Sequence, residues 1–363
     1  MTVNPTSPAA AAYPKPSFID LKKEVQESGI LKRQPFYYAY KIPLTLALLI
    51  PGIIVLVQFD NIWIQLINAL FCAVAYTQIV FIGHDCGHRQ VFEKSSWNDI
   101  FALFFVPTVG VSYSWWCNTH NRHHGNPNQI NEDPAIEFDV FAFSERQALE
   151  KTGFRRFLIK YQSFYLIPAS FLYPIHMRLQ SLGYILTKKP KYQISELLLF
   201  LVHFPLYFWL VFAHLDFWTG IIFVIVHQGF FSLFLVSTFA PNHKGMIVLD
   251  DDHGMDFLHQ QILTAQNVQS HPFVDFWFGG LNYQIEHHLF PRIARNKLKE
   301  AQKIVKPFCE KHSIPYYEST APRCYWEILK FMYQVCEPLR NEKAYKSNTI
   351  VDVLPVNPNP SEE

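Results

Sequence analysis

The chain has 363 residues, a formal net charge of +1 and a mean hydropathy near zero, at +0.04. Its 31 Lys and Arg residues are balanced by 30 Asp and Glu residues, so there is no basic excess of the kind that binds nucleic acid. The average hydropathy is that of a soluble protein, but the basic residues are distributed unevenly and indicate a different class.

Two long stretches, Ile42 to His88 and Tyr192 to His243, contain no Lys or Arg. Each is long enough for two apolar helices of about 20 residues joined by a tight turn. The sequence therefore predicts an all-α integral membrane protein with four transmembrane helices in two hairpins. The predicted spans are residues 42–59, 62–83, 196–215 and 217–239. The alternative is two buried hairpins in a soluble protein, but four nearly charge-free helices are typical of lipid contact.

The predicted hairpin turns, at Asp60-Asn61 and at Asp216, lack basic residues. Because Lys and Arg are enriched on the cytoplasmic side, both termini and the middle segment are expected there. No cleaved signal peptide is expected. We expect a cytoplasmic, partly disordered N-terminal segment at 1–39, a membrane domain at 40–306, and a C-terminal segment at 307–363 with helices and a disordered tail. The C-terminal helices and the middle segment are expected to form a cytoplasmic helical cap.

Three short windows hold seven of the 16 histidines. They read His84-Asp-Cys-Gly-His88, His120-Asn-Arg-His-His124 and Gln284-Ile-Glu-His-His288. Residues three and four positions apart share one face of a helix, so each window would project its polar side chains together. A single histidine is more often a hydrogen-bonded core residue, but three such windows indicate a metal site. The histidines concerned are His84, His88, His120, His123, His124, His287 and His288.

The predicted topology brings all three windows to the cytoplasmic face. Imidazole-rich sites suit iron, copper, zinc or nickel better than calcium or magnesium. Seven imidazoles exceed what one ion can bind, so two neighbouring ions are expected. His243 closes the fourth span level with His84, and it is either a further ligand or an ordinary interfacial histidine.

Other residues near these windows are candidates for supporting roles. Asn and Asp side chains can accept the second ring N–H of a metal-binding histidine. The alternative is a solvated loop position for Asn118, Asn121, Asp133 and Asp139, and an N-cap or turn role for Asn267. These candidates are Asp85, Asn118, Asn121, Asp133, Asp139 and Asn267. Trp115 and Trp116 either line a substrate channel or anchor the chain at the membrane interface.

Two further apolar runs are predicted not to span the membrane. The run from Ile100 to Val111 is too short, and we expect a re-entrant or interfacial helix there. A crossing between Phe157 and His176 would put the third window on the wrong side. After Pro291 the chain is basic, which suits anionic headgroups, an acidic electron donor or a solvated helix face.

The three windows resemble the three histidine boxes of the membrane fatty acid desaturases, and the resemblance runs from about Tyr40 to Lys306. Gln heads the third box, within Asn282-Tyr-Gln-Ile-Glu-His-His-Leu-Phe-Pro291. That feature is similar to the front-end desaturases, which insert a double bond between an existing one and the carboxyl end. The stretch Asn242-His-Lys-Gly-Met246 is similar to bacterial and cyanobacterial members.

This resemblance implies a di-iron centre held by the seven box histidines, with His243 and Gln284 as further ligands, Gln284 directly or through water. It also implies O2 as co-substrate, an acyl substrate carried on a lipid or on CoA, and a Δ6-like position. Many eukaryotic front-end enzymes carry a fused cytochrome b5 domain with a His-Pro-Gly-Gly motif. This sequence lacks the motif, which implies a separate electron donor, either a ferredoxin-like protein or free cytochrome b5.

Two alternatives to a desaturase are open at this point. A di-iron hydroxylase of lipids, alkanes or carotenoids would use the same histidine boxes. A membrane metal transporter is more distant, because it would need ionisable residues lining a path at mid-span.

Overall fold

A computed structural model describes residues 16–250 and 253–341 of the chain. Within these ranges the protein is mostly helical. The strands there are β1 (Asn267–Val268) and β2 (Glu318–Ser319), which pair in parallel. The predictions of disorder at the two ends of the chain fall on residues 1–15 and 342–363, outside the described residues.

The helices follow one another in this order along the described chain. The first six are α1 (Phe18–Glu27), α2 (Pro35–Ala47), α3 (Leu49–Gln58), α4 (Ile62–Gly87), α5 (Ser95–Phe105) and α6 (Tyr113–Gly125). The next six are α7 (Glu145–Glu150), α8 (Gly153–Lys160), α9 (Gln162–Ser170), α10 (Tyr173–Lys188), α11 (Gln193–Phe212) and α12 (Phe217–Phe239). The last six are α13 (Phe257–Leu263), α14 (Pro272–Trp277), α15 (Gln284–Leu289), α16 (Leu298–Lys311), α17 (Ala321–Gln334) and α18 (Glu337–Arg340). Short 3-10 helices lie at Pro107–Val109, Pro134–Ile136, Ala240–Asn242 and Arg295–Lys297.

Four helical segments of the described chain are long and apolar enough to cross a membrane, as the sequence predicts. They are Pro35–Gln58, Ile62–Gly87, Gln193–Phe212 and Phe217–Asn242. The first begins at Pro35, earlier than predicted, because proline is well suited to the first turn of a helix. Pro51 has no N–H to donate to the preceding turn, which explains the interruption at Leu48 between α2 and α3.

The predicted turns are marked by helix caps. Asn61 begins α4, and its side chain accepts hydrogen bonds from the backbone N–H groups of Trp63 and Ile64. Asp216 caps α12 in the same way, accepting from Trp218 and Thr219. Both side chains satisfy backbone donors that have no partner inside the helix, so a new helix begins after each of them.

The second and fourth apolar segments are the inner pair. About half of each is buried, at 56% and 50%, against 17% for the first and third segments. The outer helices α3 and α11 expose aliphatic side chains such as Ile54, Leu198 and Leu201. Exposed aliphatic faces of this length are suited to contact with lipid acyl chains.

The run from Ile100 to Val111 belongs to a bent pair of helices, Ser95–Val109 and Tyr113–Gly125, which meet at 102°. At the bend Gly110 has φ of +77°, and a Cβ there would lie 3.0 Å from Arg178 Nε. Only glycine fits both conditions. The bend fits the predicted re-entrant segment and returns α6 to the end of α4. Residues 157–176 are divided among α8, α9 and α10, none of which is long and apolar enough to span.

A hydrophobic core joins α1 to the C-terminal helices. Leu21 of α1, Leu258 of α13, Ile285 of α15 and Val305 of α16 are buried in one cluster, together with Phe81 near the end of α4. The third histidine window, on α15, is thus held within this helical layer beside the end of α4.

Candidate metal centre

The histidine-bearing elements meet at the C-terminal ends of α4 and α12. His84 lies in the last turn of α4, and His88 is its C-cap residue. The second window lies on α6, His243 follows the 3-10 helix after α12, and the third window occupies α15. Each window is helical, so its side chains share one face as the spacing predicts.

The eight histidines form two groups. In each group every ring offers one nitrogen, and these nitrogens all lie within 4.8 Å of one another. The five-histidine group consists of His84, His88, His120, His124 and His287. The three-histidine group consists of His123, His243 and His288. Two separate groups fit the prediction of two ions, and the assignment of these residues as ligands remains a prediction.

Hydrogen bonds fix the tautomers of the three-histidine group. His123 Nδ1 lies 2.9 Å from the Asp133 carboxylate, and His243 Nδ1 lies 3.0 Å from the Thr264 carbonyl oxygen. His288 Nδ1 lies 2.9 Å from Gln261 Oε1. All three partners are acceptors, so each Nδ1 carries the ring proton and donates it. Each Nε2 is left as a lone pair.

These lone pairs point toward one another, since the Nε2 atoms of His123 and His243 are 3.3 Å apart with no proton available between them. The Gln284 amide nitrogen, 3.0 Å away, can donate to His243 Nε2, whereas His288 Nε2 is buried without a hydrogen-bond partner among the described residues. A buried acceptor without a donor is costly. A cation among the three Nε2 atoms removes that cost. The donor set therefore fits a metal ion with tetrahedral or higher coordination.

The ring nitrogens of the five-histidine group also fit a metal ion. His84 and His287 are buried, and among the described residues neither ring nitrogen of either has a hydrogen-bond partner. His120 Nε2 lies 2.8 Å from His88 Nε2 and 3.1 Å from His124 Nε2. Hydrogen bonds cannot account for all of these close nitrogen pairs, because a neutral imidazole has only one N–H group to donate. These nitrogens fit a second metal ion.

Burial favours the neutral form of His287 and His288. Loss of water lowers the pKa of His287 and His288 well below the usual range, and the neighbouring histidines lower it further. Neutral imidazoles offer a lone pair to a metal without first losing a proton. Burial opposes ionisation of Asp133, but contact with His123 outweighs it and holds the pKa of this carboxyl below its usual value. Asp133 therefore remains an acceptor.

Gln284 lies beside the three-histidine group, but its amide nitrogen faces it. The nitrogen is 3.0 Å from His243 Nε2, and the amide oxygen accepts from Asn242 Nδ2 at 3.1 Å. Asn242 Nδ2 also donates to the carbonyls of Thr238 and Leu281, which fixes its orientation and hence that of Gln284. In this arrangement Gln284 offers a donor, and direct ligation through oxygen would break the bond to Asn242.

Several residues that were predicted to orient the imidazoles make no hydrogen bond to a histidine of either group within the described ranges. Asn118 and Asn121 are exposed on α6, and no hydrogen bond joins them to a histidine within the described ranges, because they face away from the shared face. Asp139 is exposed and pairs with Arg155 at 3.1 Å. Asp85 contacts Arg295 Nε at 2.7 Å and is 3.7 Å from His84 Nδ1, too far for a hydrogen bond.

Asn267 supports the third window without touching a histidine. Its side-chain oxygen accepts from the backbone N–H of Ile285 at 2.9 Å, and its nitrogen donates to Glu286 Oε2 at 2.7 Å. Tyr316 donates to the other oxygen of Glu286 at 2.7 Å. Burial raises the pKa of Glu286 to about 7 despite these hydrogen bonds. Asn267 and Tyr316 thus hold α15 in place through Glu286.

The two tryptophans differ in their surroundings. Trp116 stacks on His120 with ring centroids 4.5 Å apart and an interplanar angle of 22°. Its ring also lies 5.7 Å from that of His84. Trp115 is partly buried against the core between α4 and α5. Trp116 therefore forms a wall of the five-histidine group, and the channel role of both residues remains a prediction.

Sequence reasoning missed Gln261 and Arg295 and did not give Thr264 a role. Gln261 on α13 donates to the backbone carbonyl of His124 at 3.1 Å while it accepts from His288. Thr264 acts through its backbone carbonyl, which carries no side-chain signal. The contacts of Gln261 and Thr264 depend on how α13 packs against α15. Of the three residues only Arg295, four residues after Pro291, could have been noticed in the sequence, because it lies in a basic stretch.

The geometry agrees with similarities to known proteins. A family model described as fatty acid desaturase matches residues 61–320. The Delta(8)-fatty-acid desaturase of Euglena gracilis is 29% identical over 322 residues, covering 85% of this chain and 76% of that protein. The Delta(8)-fatty-acid desaturase 2 of Arabidopsis thaliana is 28% identical over 315 residues, covering 82% and 69%. The fatty acid desaturase 2-like protein FADS2B of Mus musculus is 24% identical over 320 residues, covering 86% and 65%.

Proposed function

The chain belongs to the fatty acid desaturase family, and on that premise we propose that it inserts a cis double bond into a fatty acyl chain, between an existing double bond and the carboxyl end. The observation that carries the proposal is the pair of largely buried histidine groups whose ring nitrogens converge, several of them without a hydrogen-bond partner within the described residues. The glutamine at the head of the third box and the Delta(8) desaturases among the relatives support the front-end position. A Δ6-like position is the specific expectation.

We infer that the cofactor is a pair of iron ions, one for each histidine group. The five-histidine group would hold one ion, and His123, His243 and His288 would hold the other. When bound, the irons supply the redox chemistry that uses O2 to remove hydrogen from an unactivated methylene. In the balanced reaction, two hydrogen atoms leave the acyl chain, and two electrons and two protons complete the reduction of one O2 to two waters.

The protein residues orient the site and keep it dry. Asp133, Thr264 and Gln261 each accept a hydrogen bond from an Nδ1–H group, so they hold the rings in the tautomer that directs Nε2 inward. Gln284 offers an amide N–H on the open side of the three-histidine group. Trp116 packs on His120 and excludes water from the five-histidine group.

The membrane arrangement is part of the same proposal. The four apolar segments would cross the bilayer as two hairpins, and the absence of Lys and Arg from residues 42–88 and 192–243 supports a cytoplasmic location for both termini and for the metal centre. The C-terminal helices would then form a cytoplasmic cap. The domain limits at residues 39 and 306 belong to this arrangement.

Electrons would come from a donor outside these residues, because the 363 residues contain no His-Pro-Gly-Gly motif. A ferredoxin-like protein or free cytochrome b5 would serve. The first suits the similarity of Asn242 to Met246 to bacterial and cyanobacterial enzymes.

The test is a fatty-acid profile of a host that expresses the chain with a ferredoxin system. The host is fed oleate, linoleate, α-linolenate and a 20-carbon dienoate, and double bonds are located by gas chromatography with mass spectrometry of suitable derivatives. We expect a new double bond on the carboxyl side of an existing one, absent with His287→Ala. A product heavier by one oxygen would indicate a hydroxylase. A new bond on the methyl side would contradict the front-end assignment.

A further inference from the structure

A cavity of about 210 Å³ lies beside the start of the first apolar segment, and no histidine of either group lines it. Its walls come from α2, from α4, from the turn after α14 and from the segment that leads into α16. Three cationic side chains line it, namely Lys41, Arg295 and Lys299. Its other polar lining includes Tyr37 and Asp275.

Arg295 forms a buried base for the cavity. The residue is only 3% exposed, and its Nε lies 2.7 Å from Asp85 Oδ2. The contact of Nε with Asp85 is an ion pair without hydrogen-bond geometry, and Nη1 lies 3.4 Å from the carbonyl oxygen of Gly279. Nη2 is buried without a hydrogen-bond partner within the described residues. A guanidinium donor without an acceptor is costly in a buried site, so this nitrogen is suited to an anionic oxygen.

The two lysines add positive charge at the rim. Lys41 Nζ reaches only the neutral Gln78 Oε1, at 3.4 Å, and within the described residues no carboxylate lies within ion-pair distance of it. Lys299 is 3.6 Å from Asp275 and donates to Ser270 at 2.8 Å. Three cations thus face two carboxylates, Asp85 and Asp275, and the cavity carries an excess of one positive charge.

The surroundings of the cavity are apolar. Lys41 lies near the beginning of an apolar segment, and neighbouring Tyr40 and Leu44 on α2 are exposed. Phe276 lines the cavity and is 50% exposed. A cationic pocket bordered by exposed apolar side chains at a membrane surface is suited to a molecule that joins an anion to acyl chains.

We propose that this cavity binds the phosphate group of an anionic phospholipid, with Arg295, Lys41 and Lys299 as its donors. The proposal is independent of the desaturase reaction, since the cavity shares no lining residue with the histidine groups. A phosphate ester is the recognised chemistry, and the phosphates of a soluble ester such as CoA are the other source to be distinguished.

The test uses the full chain in detergent, titrated with dioleoylphosphatidic acid and dioleoylphosphatidylcholine and observed by native mass spectrometry. Lys41→Gln and Lys299→Gln each remove one charge at the rim and leave the buried pair of Arg295 and Asp85 intact, so both variants are expected to fold. Lys303→Gln is the matched control, because Lys303 is an exposed lysine on α16 outside the cavity.

We expect phosphatidic acid to bind more tightly than phosphatidylcholine. We also expect phosphatidic acid to bind about tenfold more weakly to Lys41→Gln than to wild type or to Lys303→Gln, as for the loss of one charge-assisted hydrogen bond. Equal binding of the two lipids, or equal loss in Lys303→Gln, would overturn the proposal. Competing CoA and inorganic phosphate distinguish the source. Retention of the lipid in millimolar CoA supports a phospholipid, whereas displacement by CoA assigns the phosphate site to a soluble ester and overturns the lipid assignment.

Discussion

Asn242 donates a hydrogen bond to the side-chain oxygen of Gln284 at 3.1 Å, and this bond directs the Gln284 amide nitrogen to within 3.0 Å of His243 Nε2. The glutamine that replaces a histidine at the head of the third box is therefore held as a hydrogen-bond donor. Its role differs from that of the imidazoles around it, which present lone pairs.

This orientation predicts the behaviour of Gln284→Leu. We expect the variant to retain two iron ions per chain, because no ligand is lost, and to lose about 100-fold in turnover, as for removal of one preorganised donor in an active site. Metal analysis of the purified protein and product quantification check the two parts separately. A fall to one iron per chain would identify Gln284 as a ligand and contradict the donor role.

A second prediction concerns Asp133, which accepts from His123 Nδ1 at 2.9 Å and also from the backbone N–H groups of Asn128 and Ala135, each at 2.8 Å. Asp133→Asn replaces one of these acceptor oxygens with a donor. We expect the iron to be removed by a chelator at a concentration about 10- to 100-fold lower than for wild type, as for the loss of a residue that orients a ligand.

The matched control for Asp133 is Asp139→Asn. Asp139 is an aspartate of the same loop region, but it is exposed and forms an ion pair with Arg155. We expect it to hold iron as wild type does. Equal weakening in the two variants would show that the His123–Asp133 contact has no special part in metal retention.

The sequence predicted the parts of this fold that depend on local pattern. The apolar segments, the breaks between them near Asn61 and Asp216, and the helical faces of the histidine windows all follow from composition and spacing over a few residues. The first segment was placed too late because its polar beginning, with Lys41, lies within the helix. Periodicity and composition set the ends of a helix only within a few residues.

The contacts that orient the imidazoles were harder to predict. Asn118 and Asn121 were chosen because they are neighbours of histidines in sequence, yet on a helix their positions place them on the exposed side. Gln261 comes from a helix distant in sequence, and Thr264 contributes only its backbone carbonyl. Such partners are defined by tertiary packing, which one sequence does not specify.

A third prediction tests the packing of Gly87 against Trp116. A Cβ on Gly87 would overlap Cζ3 of the Trp116 indole, which stacks on His120. In Gly87→Ala the indole has to move, at a cost of about 1–3 kcal/mol typical of overpacking, and His120 moves with it. We expect a lower thermal midpoint and weaker iron retention, measured by fluorescence and metal analysis.

Two variants separate this steric effect from a general loss of helix stability. Gly125→Ala is the control, since no atom lies within 4 Å of a Cβ at that position, and it is expected to behave as wild type. Trp116→Phe combined with Gly87→Ala restores space and should recover part of the loss. Strictly additive effects in the double variant would rule out direct contact as the cause.

The last prediction concerns the support of α15 from the C-terminal helical layer. The Tyr316 hydroxyl donates to Glu286 Oε1 at 2.7 Å, and Glu286 is fully buried in the segment that bears His287 and His288. Tyr316→Phe leaves that carboxyl with one donor fewer, and we expect a loss of about 1–3 kcal/mol in the free energy of unfolding. The measurement is the unfolding midpoint in detergent, followed by tryptophan fluorescence. Tyr317→Phe is the control, since both rings are partly buried but only the Tyr316 hydroxyl donates to Glu286 within the described residues. An equal loss in that variant would show that the hydrogen bond to Glu286 is not what stabilises α15.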